Sequence, residues 1–76
     1  MRTFIEKLRG VREDRDLTQS QIAEVLGTSQ TMYARYERGA NEMPIRHLVT
    51  LCKFYNLSAD YFLDTQPRQR RKTDKV

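Results

Sequence analysis

A single cysteine, Cys52, leaves this 76-residue chain without an internal disulfide, and a reducing cytoplasm is the simplest setting for such a sequence. No run reaches the ~18 consecutive apolar residues of a membrane span. The start, MRTFIEKLRG, is charged and amphipathic, and is not expected to be a signal peptide. Tryptophan is absent, and glycine and proline number only three and two. No stretch shows the apolar–polar alternation of a strand. His47, the only histidine, has no cysteine or carboxylate at ligand spacing, so it reads as a surface residue and not as a metal ligand. No Ser–His–Asp set, paired carboxylates or Gly-rich phosphate loop occurs. An enzyme is therefore excluded, and no cofactor, metal or small-molecule ligand is implied.

What is present fits one small domain. A chain of this size buries only about 60% of its unfolded surface, so it can hold one core and no deep cleft. The net charge is +4, but residues 1–65 carry nine Lys/Arg and nine Asp/Glu. The excess lies in residues 66–76, with five basic residues and one acid. The expected division is a domain over 1–65 and a disordered basic tail over 66–76. The tail reads either as a solubilising end or as an arm attracted to phosphate.

The periodicity predicts five helices and an all-α fold. The first spans about Thr3–Asp14, with Phe4, Ile5, Leu8 and Val11 on one side. The second starts at Thr18, where Gln21 three residues on completes a capping-box pattern. Its apolar face is Ile22, Val25 and Leu26, and Gly27 ends it. The third is capped by Thr28 or Ser29 and stops before Gly39. Pro44 opens the fourth, which carries Ile45, Leu48, Leu51, Cys52 and Tyr55 on one face and closes at Asn56. On that face Cys52 is a small core filler. Ser58 caps a short fifth helix, Ala59–Leu63.

The third helix has two faces. With Gln30 set at 0° and ~100° per residue, Ala34, Arg38, Thr31 and Arg35 follow within about 140°. Met32, Tyr33, Tyr36 and Glu37 fill the opposite arc and should face the core. The polar arc is suited to reading base edges. Gln can pair at two points with adenine and Arg with guanine, while Ala and the Thr methyl can rest on a thymine methyl. The same residues would also serve as an ordinary solvent-facing surface. Two charges fall on packing faces: Arg12 in the first helix and Glu37 in the third. A lone buried charge is costly, so the two are expected to pair, the guanidinium forking onto the carboxylate.

Leu17-Thr18-Gln19, Ile22-Ala23, Gly27, Ser29-Gln30 and Tyr36-Glu37-Arg38-Gly39, followed by Pro44 and Leu57-Ser58, resemble the lambda-repressor/Cro-like helix-turn-helix regulators. The resemblance covers roughly Phe4 to Leu63. It implies a compact five-helix domain that binds a double-stranded DNA operator, usually as a homodimer, with the third helix in the major groove. Gln30, Thr31, Ala34 and Arg35 fall on positions that reach bases in that family. Gln19 falls where an amide holds a phosphate and braces the helix-3 glutamine, and Ser29 joins it as a backbone contact. The Arg12–Glu37 pair is also a family feature. Three departures stand out. Tyr33 replaces a usual aliphatic residue, so its hydroxyl needs a partner or the rim. Met32 replaces a small polar residue. The loop Ala40-Asn41-Glu42-Met43 lacks basic residues, which shifts the backbone contacts to Arg38 and Arg46.

Phe54, Tyr61, Phe62 and Leu63 are more apolar surface than so small a monomer can cover, and they suggest a partner surface. The expected use is a symmetric dimer reading a near-palindromic site, with the two reading helices ~34 Å apart. A core rim with scattered exposed residues would look the same in sequence. The function expected is sequence-specific transcriptional regulation, most simply repression. A protein-interaction adaptor, an antitoxin or a restriction–modification controller would use similar residues.

Overall fold

The computed structural model describes residues 2–63. Five helices follow in order: α1 (Arg2–Asp14), α2 (Gln19–Leu26), α3 (Gln30–Arg38), α4 (Ile45–Tyr55) and α5 (Ala59–Leu63). The basic segment 66–76 lies outside the described residues. α3 packs on α1 and α2, α4 packs on α2 and α5, and α1 also packs on α5. α3 is thus held from two sides.

The helix ends are set by local chemistry. Thr18 caps α2 through the expected capping box. Its Oγ1 accepts from the Gln21 N–H at 3.1 Å, and its own N–H donates to Gln21 Oε1 at 2.8 Å. Ser29, not Thr28, caps α3, accepting from the Met32 N–H at 3.0 Å. Each of the first four helices ends on a residue in the left-handed region: Asp16, Gly27, Gly39 and Asn56. At each end the following N–H returns to a carbonyl five residues back, as in Thr28 to Ala23 and Ala40 to Arg35.

The core is drawn from all five helices: Leu8 and Val11, Ile22, Ala23 and Leu26, Tyr33 and Tyr36, Leu48, Leu51 and Tyr55, and Phe62. Cys52 is half-buried against it, and burial raises its thiol pKa. That disfavours the thiolate, in keeping with a packing role.

Four expectations need correction. His47 is buried, with its ring 5.9 Å from that of Tyr36. Burial, with Arg46 close by, lowers its pKa and so favours the neutral ring. Ile45, expected in the core, is 78% exposed. Both follow from one cause: α4 is turned about its axis, so His47 enters the core stripe as Ile45 leaves it. Val25 is likewise exposed at the margin of its face. Phe62, expected on a partner surface, is wholly buried, with its ring against Tyr55 and Tyr61. In a five-residue helix only one side chain points straight at the bundle, and here that is Phe62.

Candidate nucleic-acid interface

The site grows from the turn between α2 and α3. Gly27 adopts φ 72°, and only Thr28 separates it from the Ser29 cap. The tight turn sets α3 across α2 and fixes which face of α3 points out. Tyr33, Tyr36 and Glu37 are buried on the inner face. Gln30, Thr31, Arg35 and Arg38 are exposed, and Ala34 is half-buried among them. The expected polar arc is therefore accessible on one side of a helix whose other side is locked in place.

The lock centres on Glu37. Arg12 forks onto its carboxylate, with Nε to Oε2 at 2.6 Å and Nη2 to Oε1 at 3.1 Å. Arg12 Nη1 also donates to the Leu17 carbonyl at 2.8 Å. One guanidinium thus joins α1, the start of α2 and the last turn of α3. Gln19 Nε2 donates to Glu37 Oε1 at 3.1 Å, and Gln30 Nε2 donates to Gln19 Oε1 at 2.8 Å. Burial alone would raise the pKa of Glu37. The hydrogen bonds from Arg12 and Gln19 outweigh it, and the carboxyl sits below the ordinary range. The same hydrogen bonding raises the pKa of Arg12. The pair is ionised at neutral pH.

Tyr33 departs from expectation. Its hydroxyl is buried with no hydrogen-bond partner. Burial raises its pKa most, and the adjoining Glu37 carboxylate raises it further. The hydroxyl lies beside the carboxylate and helps hold Glu37 in its charged form. Tyr55, also buried and without a hydroxyl partner, is pushed up to about 12, mainly by desolvation.

The remaining expected contacts lie around this centre. Ser29 is exposed at the N-terminus of α3, and Arg38 lies at the other end. Arg46 is exposed in the first turn of α4. Phe54 and Tyr61 are 46% and 44% exposed, whereas Leu63 is half-buried. Phe54, Tyr55, Phe62 and Tyr61 form an unbroken run of ring contacts with its two ends in solvent. Lys7 lies 4.8 Å over the ring of Tyr61.

Sequence reasoning missed two features. Arg9 donates to the Glu37 carbonyl at 3.5 Å while its side chain stays 51% exposed. Its signal was its place one turn before Arg12 on the same face. Ile45 and Val49 form an exposed apolar strip on α4. Their i, i+4 spacing was legible, but the turn of α4 was not. Among the described residues no group of three metal-ligating side chains occurs, and no helix is long and apolar enough to cross a membrane.

Known proteins share both sequence and shape with this chain. The helix-turn-helix family model matches residues 8–62. The HTH-type transcriptional regulator YobD of Bacillus subtilis is 34% identical over 76 residues, covering 95% of this chain and 68% of that protein. The transcriptional repressor RstR of the cryptic phage CTXphi, from Vibrio cholerae, is 33% identical over 54 residues, covering 71% of this chain and 49% of RstR. A crystal structure of a transcriptional regulator from Listeria innocua superposes with a TM-score of 0.80 at 28% identity, covering 93% of this chain and 64% of that one. The chain thus spans about two thirds or less of the length of these proteins. With the capped turn, the outward polar face of α3 and the Arg12–Glu37 lock already in place, these matches show that the chain belongs to the lambda-repressor-like helix-turn-helix regulators, a DNA-binding family and not an enzyme family.

Proposed function

We propose that this chain is a sequence-specific transcriptional repressor that reads a near-palindromic operator as a homodimer in the cytoplasm. α3 lies in the major groove. Gln30, Thr31, Ala34 and Arg35 meet base edges, and Gln19, Ser29, Arg38 and Arg46 meet the sugar–phosphate backbone. The observation that carries this reading is the division of α3. One face is fixed to the core through Glu37, and the opposite face offers an amide, a hydroxyl, a methyl and two guanidinium groups to solvent. Those groups match the donor and acceptor pattern of base edges.

Selection from random duplex DNA followed by footprinting tests the reading. Arg35→Ala should relax base preference at one position of each half-site, by about tenfold. Arg38→Ala should weaken all sequences alike and flatten the salt dependence by about 0.9 in log–log slope per lost phosphate contact. Identical preferred sites for wild type and Arg35→Ala would refute the base-contact assignment. The formal neutrality of residues 1–65 and the acidic Glu42 favour a second reading, an adaptor that docks α3 on a protein groove. No gel shift at low salt alongside tight binding to a protein would decide for it. An antitoxin or restriction–modification controller would share the DNA contacts and differ in its target genes.

A further inference from the structure

The hydrogen bonds that end on Gln30 run in one direction, and their direction is forced. Arg12 can only donate, and an ionised Glu37 can only accept. Glu37 is wholly buried and receives Arg12 on both oxygens. An amide that touches this carboxylate must turn its NH₂ toward it, as Gln19 Nε2 does at 3.1 Å. The oxygen of Gln19 then faces outward, so Gln30 must present its own NH₂ to Gln19, as it does at 2.8 Å. One N–H of Gln30 is thereby committed. Its Oε1 and its second N–H stay free on the exposed face of α3.

We infer that Glu37 is a positioning residue for base choice: through Gln19 it fixes the amide of Gln30 with one free acceptor and only one free donor, which selects adenine and rejects guanine. This rests on the reading of Gln30 as a base contact. Adenine offers one acceptor, N7, and one donor, N6, whereas guanine offers two acceptors, N7 and O6. The locked amide can satisfy adenine at two points. It cannot satisfy guanine, because that needs both N–H groups. Gln19 is the coupling element, and Arg12 sets the polarity from the buried end. A Glu37→Gln variant should reverse the chain. Arg12 would hold the oxygen of the new amide, whose NH₂ would face Gln19. Gln19 would then donate to Gln30 Oε1 and free both Gln30 N–H groups.

The test is the adenine-to-guanine ratio at the single position whose preference depends on Gln30. It is measured by selection from random duplex DNA with the full chain. Four proteins are compared: wild type, Gln30→Ala, Gln19→Met and Glu37→Gln. Wild type should select adenine there, and Gln30→Ala should erase that choice. Gln19→Met, which leaves the Arg12–Glu37 pair intact, should lower the ratio about tenfold while preferences at the other positions hold. Glu37→Gln should lower it as far or further. A purely structural role would weaken every sequence together and leave this ratio unchanged. If Glu37→Gln does not fold, Gln19→Met decides alone. A wild-type ratio retained in Gln19→Met, or in a folded Glu37→Gln, overturns the proposal while leaving Gln30 as a base contact. Wild-type selection of guanine there would do the same. A Gln30→Ala variant that changes no position overturns the proposal together with the base-contact reading it rests on.

Discussion

At the scale of single residues, the Arg12–Glu37 pair is the joint on which the domain turns. Glu37 is wholly buried, and its carboxylate is kept charged by donors from α1 and α2. Removing one partner of such a pair leaves a buried charge behind, which costs about 3–5 kcal/mol. Arg12 retains 12% side-chain exposure, so the lower end applies, and Arg12→Met should lose about 3 kcal/mol at pH 7 in urea melts. The pH dependence has a definite sign. In the wild type the folded pKa of Glu37 lies below its unfolded value of 4.5. Its stabilisation is therefore complete above 4.5 and is lost as pH falls through the folded value. In Arg12→Met, burial dominates and the folded pKa rises above the unfolded one. The deficit should then shrink between pH 7 and pH 4. A deficit that is constant across that range would show that Glu37 is not the group responsible. The pair was legible in sequence because two charges sat on packing faces 25 positions apart. The unpartnered Tyr33 hydroxyl was not, since whether a phenol meets a carboxylate depends on tenths of an ångström in packing that no helical wheel contains.

At the scale of elements, the sequence carried the helix boundaries well because they are set locally. Thr18 with Gln21, Ser29 before the third helix, and glycines after the second and third need only neighbouring residues to act. The rotation of α4 was beyond reach for the opposite reason. His47 and Ile45 lie on either side of the Leu48–Leu51–Tyr55 stripe, and what decides between them is the ring of Tyr36 on another helix. The same distinction separates two glycines. Gly27 and Gly39 both have positive φ, 72° and 77°. A Cβ on Gly27 would meet nothing within 4 Å, whereas on Gly39 it would lie 2.5 Å from Ile5 Cδ1. Both alanine variants incur the left-handed penalty of about 1–2 kcal/mol. Gly39→Ala should lose more, because α1 must also repack Ile5. The extra loss is small, since the Ile5 tip can swing aside. Thermal or urea melts should rank wild type above Gly27→Ala and Gly27→Ala above Gly39→Ala. Trimming the tip in Ile5→Val should narrow the gap between the two glycine variants, and an unchanged gap would remove Ile5 from the account.

At the scale of the whole molecule, charge and size point the same way. Residues 1–65 are formally neutral, so the proposed DNA binding by these residues does not rest on a general positive field. It must come from a few placed groups, and one short helix reads only a few base pairs. A second copy doubles those contacts without altering any of them. For the proposed dimer the aromatic run from Phe54 to Tyr61 offers a surface: its middle rings are fixed in the core and its end rings are exposed. Phe62 lies beneath that surface as its support. Phe54→Asp and Tyr61→Asp should therefore leave the helical circular dichroism unchanged while weakening operator binding by at least about tenfold, because a charge in an apolar contact loses its water without gaining a partner. Sedimentation of the wild type on its operator should give two chains per site, with footprints on one face of the duplex ~34 Å apart. Each aspartate variant should shift to one chain per site at the same protein concentration. A wild-type complex with the mass of a single chain would remove the symmetric dimer. Half-site recognition would then have to be explained by one copy of α3, with all selectivity drawn from Gln30, Thr31, Ala34 and Arg35.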